Sequence, residues 1–260
     1  MIDDPFEPAR RALEAGEPEA ALAALETCDG PQPARFALAA LAQLELESPR
    51  EAEALLARVE PSSEDRDWLW ARGEVDLAHW RLDGARACYA RLAEVGGDDA
   101  SLALRRSLIH DLEGDQAAAD RERARAEELD PDGPPIPRLD EDGFAELVEL
   151  AIDRLPPAVL ARLDQVAVVV EPVPRRELAG SAPWETPPDA LGLFVGTSDL
   201  DRHGELSGEP GPVIYLFQRN LERVVADEAE LAEQVEVTLL HELGHLFGFD
   251  EDGVDGLGLA

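Results

Sequence analysis

The chain has 260 residues and a formal net charge of −34, from 57 acidic against 23 basic side chains. It is long enough for two domains with cores of their own, and its acidity opposes binding to nucleic acid or to anionic membranes. Every basic side chain is arginine, which removes Schiff-base lysines and phosphate-loop lysines from consideration.

The start, Met-Ile-Asp-Asp-Pro-Phe-Glu, is acidic and carries no basic region followed by an apolar run, and no stretch approaches the length of a membrane span. Cys28 and Cys88 lack Cys-x-x-Cys spacing, so they read as buried free thiols in a reducing compartment. A cytoplasmic protein is the expectation.

Residues 7 to 130 are rich in Ala, Leu, Glu and Arg with few β-branched residues, which is a helical composition. They also repeat. The phrases Gly16-Glu-Pro-Glu-Ala-Ala21, Glu47-Ser-Pro-Arg-Glu-Ala52, Trp80-Arg-Leu-Asp-Gly-Ala85 and Gly114-Asp-Gln-Ala-Ala-Ala119 are separated by alanine-to-alanine steps of 31, 33 and 34 residues. That is close to the tetratricopeptide period, with alanines where paired helices approach, and predicts a tetratricopeptide-like helical array over residues 1–132. Such arrays leave a face that binds peptides or partner proteins. Trp68, Trp70, Trp80 and Tyr89 are expected in its core, and His79 and His110 are expected to be structural.

Asp130-Pro-Asp-Gly-Pro-Pro-Ile-Pro137 forbids a helix, so the domain boundary is placed there, with residues 133–139 as linker and 140–260 as the second domain. Phe144, Leu147, Val148 and Ile152 have helical spacing, and Val166-Ala-Val-Val-Val170 reads as a buried strand. Glu171 to Pro212 is rich in Pro and Gly and should be mostly loop around short strands. Val213 to Phe217 is the expected edge strand on which an extended peptide could lie. Tyr215 and His203 are candidate donors to an oxyanion.

Near the C-terminus stands Thr238-Leu-Leu-His241-Glu242-Leu-Gly-His245-Leu-Phe-Gly248-Phe-Asp-Glu251. Leu231, Val235, Leu239 and Leu243 form one stripe after an Asp227-x-x-Glu230 helix start, so the His-Glu-x-x-His string lies on a helix. There the i, i+4 spacing puts His241 and His245 on one face as a pair of metal ligands, with Glu242 beside them as general base. Gly248 stops the helix so that a third ligand can swing back. Glu251 has the best spacing for that ligand, with Asp250 and Asp252 as alternatives. Two imidazoles and a carboxylate suit Zn²⁺ with one position open for water.

Phe144-Ala-Glu-Leu-Val148, Leu155-Pro156, Gln165-Val-Ala-Val-Val-Val170, Leu191-Gly-Leu-Phe-Val-Gly196 and Val213-Ile-Tyr-Leu-Phe-Gln-Arg219 occur in that order before the motif. Together they make residues 141–260 resemble the minimal zincin-like metallopeptidase family. Two positions depart from its pattern: Leu246 stands where the family usually has a further histidine, and Glu251 where it commonly has aspartate. The resemblance implies a small α+β domain built around an active-site helix, a zinc site and peptidase activity. It does not cover the helical repeats.

The expected molecule is a zinc-dependent metallopeptidase acting on a peptide or protein substrate, with helical repeats that recruit substrate or partner and with no nucleic-acid or membrane partner. The rival reading is an interaction protein whose zinc site is idle or structural, and a third is an autoinhibited peptidase. With Met1 the only methionine, the methionine turn of metzincins has no counterpart here.

Overall fold

The computed structural model describes residues 4–28, 32–60, 64–155, 157–163, 166–180, 186–196 and 211–248. The chain divides into two compact units, one comprising residues 1–130 with 176–188, the other 131–175 with 189–260.

In the first unit the described helices are α1 (Glu7–Glu14), α2 (Pro18–Thr27), α3 (Gln32–Glu45), α4 (Pro49–Leu56), α5 (Arg66–Ala78), α6 (Leu82–Gly96), α7 (Ala100–Leu112) and α8 (Gln116–Leu129). They form successive hairpins, α1 on α2, α3 on α4, α5 on α6 and α7 on α8. Each hairpin turns on a left-handed residue: Gly16 (φ 67°), Glu47 (φ 52°), Trp80 (φ 59°) and Gly114 (φ 78°). The next N–H then bonds back to a carbonyl five residues earlier, Glu17 to Ala12 at 2.8 Å, Ser48 to Gln43 at 2.8 Å, Arg81 to Asp76 at 2.8 Å and Asp115 to His110 at 2.9 Å. This closes a Schellman turn four times. These turns are the starts of the four repeating phrases, and Ala21, Ala52, Ala85 and Ala119 of those phrases are all fully buried.

Tyr89 is buried and donates its hydroxyl to Glu74 Oε1 at 2.7 Å, while Trp68 is also buried. Trp80 is only half buried, and its indole Nε1 donates to the Thr186 carbonyl at 2.9 Å, with the Arg176 guanidinium 5.8 Å from the ring centre. The segment 176–188, which the sequence reading leaves in the second domain, therefore packs with the helical unit. His79 Nδ1 lies 2.9 Å from the Val75 carbonyl, a local contact with its own helix. Burial pushes the Cys88 thiol up to about 11.

The second unit holds α9 (Glu141–Asp153), α10 (Pro157–Leu163), β1 (Ala167–Glu171), β2 (Gly192–Val195), β3 (Val213–Phe217), α11 (Gln218–Arg223) and α12 (Glu228–Phe247). The sheet order is β1-β3-β2, with β1 parallel and β2 antiparallel to β3. Val213–Phe217 is thus the central strand, paired on both sides, and among the described residues β1 and β2 are the two edge strands. Sequence misplaced the edge because β3, like most interior strands, is apolar throughout and its length says nothing of its neighbours.

Side chains alternate along β3. Ile214 and Leu216 are fully buried in a core with Phe144, Val148 and Ala151 of α9 and with Leu231, Val235, Leu239 and Leu243 of α12. Leu139 and Arg138 belong to this unit as well. The Leu139 N–H donates to Glu222 Oε1 at 3.0 Å, its carbonyl accepts from Gln218 Nε2 at 2.9 Å, and Arg138 Nη1 lies 3.3 Å from Glu222 Oε2. The end of the stretch 133–139 is thereby tied to α11.

Candidate metal centre

The α12 helix starts at Asp227, whose carboxylate accepts from the Ala229 and Glu230 N–H groups at 2.8 and 2.9 Å. It ends at Gly248 (φ 88°, ψ 19°), whose N–H turns back to the Gly244 and His245 carbonyls. Glycine takes this left-handed cap without the cost that a side chain would incur. Helix start, buried stripe and stop all fall where the sequence puts them.

His241 and His245 are half buried, and their Nε2 atoms lie 3.2 Å apart with the rings nearly perpendicular at 79°. Two imidazole nitrogens that bind one tetrahedral zinc at ~2.0–2.1 Å stand about 3.3–3.4 Å apart. The pair therefore fits a shared cation as it stands. Alternatively, one ring can donate an N–H to the other.

Glu242 is buried, at 7 % exposure. One residue along a helix turns a side chain by about 100°, so Glu242 leaves the imidazole face and lies against β2. A Cβ at Gly192 would stand 2.8 Å from Glu242 Oε1, 3.0 Å from its Cγ and 2.7 Å from Thr238 Cγ2. Thr238, one turn before Glu242, is buried, and its hydroxyl has no hydrogen-bond partner among the described residues.

No group of three or more His, Cys, Asp or Glu side chains that could hold a metal occurs among the described residues. Glu251, Asp250 and Asp252, the candidates for a third ligand, lie outside the described residues, as does His203. Tyr215 is described and does not suit the oxyanion role. It pairs with Leu193 across β2, stacks on Phe217 at 6.3 Å, and alternates with Ile214 and Leu216, which face α12. By strand alternation its side chain leaves the sheet face that packs on α12.

Sequence reasoning missed what holds β2 in place. Phe217 N–H donates to the Leu191 carbonyl at 2.9 Å, and buried Asn220 donates from Nδ2 to the Ala190 carbonyl at 2.8 Å. Glu222, 1 % exposed, accepts from Gln218 Nε2 and from Arg219 Nη1, each at 2.8 Å. A glycine inside the apolar phrase Leu191-Gly-Leu-Phe194 was an available signal of close backbone approach. The burial of Asn220 and Glu222 had none, because their phrase is as polar as any exposed helix.

This arrangement sets a His-Glu-x-x-His helix against a small mixed sheet. The model of the family described as zincin-like metallopeptidase matches residues 163–259, from the end of α10 through the sheet to α12 and beyond it. Residues 163–259 are thus similar to that family, and the resemblance suggests a hydrolase. The helical unit before residue 131 lies outside the match. No curated protein matches the chain.

Proposed function

We propose that the protein is a zinc-dependent metallopeptidase in which His241, His245 and an acid beyond Gly248, Glu251 by spacing, hold the metal. Zinc, when bound, supplies an acidified water and polarises the scissile carbonyl. Glu242 accepts the proton of the attacking water and passes it to the leaving amine. Its burial excludes competing solvent, and its carboxylate lies against the Gly192 backbone of β2. The observation that carries this reading is the 3.2 Å convergence of the two Nε2 atoms on a helix within the zincin-like stretch.

The substrate is an extended peptide or protein segment aligned along the outer edge of β2, the edge strand that packs with α12, through main-chain hydrogen bonds. The helical unit recruits that substrate or a partner protein. The two free cysteines suit a cytoplasmic setting, and no described helix is long and apolar enough to cross a membrane. Metal analysis of the purified protein is the test of the site. About one zinc per chain is expected, with none retained in His241→Ala, and full zinc occupancy in that variant would remove the assignment.

A further inference from the structure

The glycine on the edge strand has no backbone reason to be there. Gly192 is absent from the positive-φ glycines, and a strand glycine forgoes side-chain packing and costs conformational entropy. What it provides is space. Its backbone sits where any Cβ would be 2.7 Å from Thr238 Cγ2 and 2.8 Å from Glu242 Oε1, distances that real Cβ atoms do not tolerate. Cross-strand pairing agrees with this contact, because Gly192 pairs with Leu216, whose side chain faces the α12 side of the sheet, and Phe194 pairs with Ile214 on the same side.

The strand cannot slide away to relieve the contact. On one side its approach is fixed by the Phe217 N–H on the Leu191 carbonyl and by Asn220 on the Ala190 carbonyl. Asn220 in turn sits on the short helix whose Gln218 and Arg219 close on the buried Glu222. On the other side is α12, seated in the core by Leu239 and Leu243.

We infer that Gly192 is a positioning residue: the β2 backbone, bare of a side chain at this point, is the wall that sets where the Glu242 carboxylate stands relative to His241 and His245. Hydrolysis depends on that placement, since misplacing a catalytic group by about 1 Å costs on the order of a hundredfold in rate. The inference rests on the peptidase reading for its consequence, but the contact itself does not.

The test therefore has two arms. In the first, Gly192→Ala and parent are compared for zinc content and for steady-state kinetics on the best peptide found in a mixed library. A kcat lower by about tenfold or more, with KM and zinc per chain unchanged, is expected. Parental kcat, or zinc lost together with activity, overturns the inference, the latter because Gly192 would then support the fold or the ligands rather than Glu242.

The second arm reads no activity. Gly192→Ala is made in the parent and in a Thr238→Ser/Glu242→Ala background that removes the atoms a new methyl would strike, and thermal unfolding is followed. A fall of about 5–10 °C in the parent against less than about 2 °C in the relieved background is expected. If Gly192→Ala fails to fold in the parent yet folds in the relieved background, the inference stands. Equal losses, or failure to fold in both, overturn it. A parent that cleaves no peptide sinks the hydrolase reading and leaves this cycle to decide the role of Gly192.

Discussion

At the scale of single residues, His241 and Glu242 are neighbours that face different surroundings. The histidine turns toward His245, and the glutamate turns toward the bare backbone of β2. The proposed third ligand should behave like the two proposed histidine ligands. Glu251→Ala is expected to weaken zinc binding by about ten- to a hundredfold in a competition titration with a chromogenic chelator, whereas equal loss from Asp250→Ala or Asp252→Ala with Glu251→Ala unaffected would move the assignment to that residue. Cys88 offers an independent check on burial. With its thiol pushed up to about 11, its thiolate fraction near neutrality falls about two orders of magnitude below that of an ordinary cysteine. Alkylation followed by mass spectrometry at about pH 8 should label Cys88 more than tenfold slower than a model thiol. Because the folded-state value is raised, the favourable neutral thiol is present below the unfolded value near ~8.5 and its stabilising contribution is lost as pH rises toward the folded value.

At the scale of elements, α11 does more than its six residues suggest. Glu222 is buried among donors from Leu139, Gln218 and Arg219 and near Arg138. Removing one partner of a buried ionic cluster costs about 3–5 kcal/mol, so Glu222→Ala should unfold at markedly lower denaturant than the parent, whereas a loss below ~1 kcal/mol would show that Arg138 and Arg219 do not depend on it. The contrast between α12 and α11 explains what could be read beforehand. On α12 an acidic start, an apolar stripe of period four and a terminal glycine agree with one another, and the structure repeats each of them. On α11 and β2 the deciding facts are which side of β3 each neighbour takes and which polar groups become buried, and neither leaves a local pattern. The edge strand was misplaced for that reason. The phrase Val166 to Val170 was legible as a strand because it is apolar and β-branched, but its expected burial was not met, since β1 lies at an edge of the described sheet with Val170 37 % exposed; the apolar β3 was legible too, though its position within the sheet was not.

At the scale of the whole molecule, the hairpin turns of the helical unit were marked by four phrases beginning Gly16, Glu47, Trp80 and Gly114, all left-handed in the structure. Two of these are glycine. At Glu47 and Trp80 a side chain accepts a conformation that costs about 1–2 kcal/mol, and Trp80 uses its ring to hold Thr186. Sequence could not assign the segment 176–188 to the helices, because it lies between two strands of the other unit and carries no repeat of its own. A protease cut engineered between residues 131 and 137 should accordingly leave two folded pieces that still elute together, and Trp80→Ala should let them separate. Separation without that substitution would mean that the Trp80 contact does not hold the segment.

The claim on which the functional account turns is that Glu242 acts as a base without binding the metal. Glu242→Gln keeps the shape and hydrogen bonding of the side chain but removes its basicity. Parent and variant should be loaded with zinc, assayed for metal per chain and incubated with a mixed peptide library read by mass spectrometry. The account predicts equal zinc in both and a fall of about a hundredfold or more in cleavage for Glu242→Gln. Cleavage that persists in the variant at the parental rate, or a loss of zinc with the substitution, would contradict it.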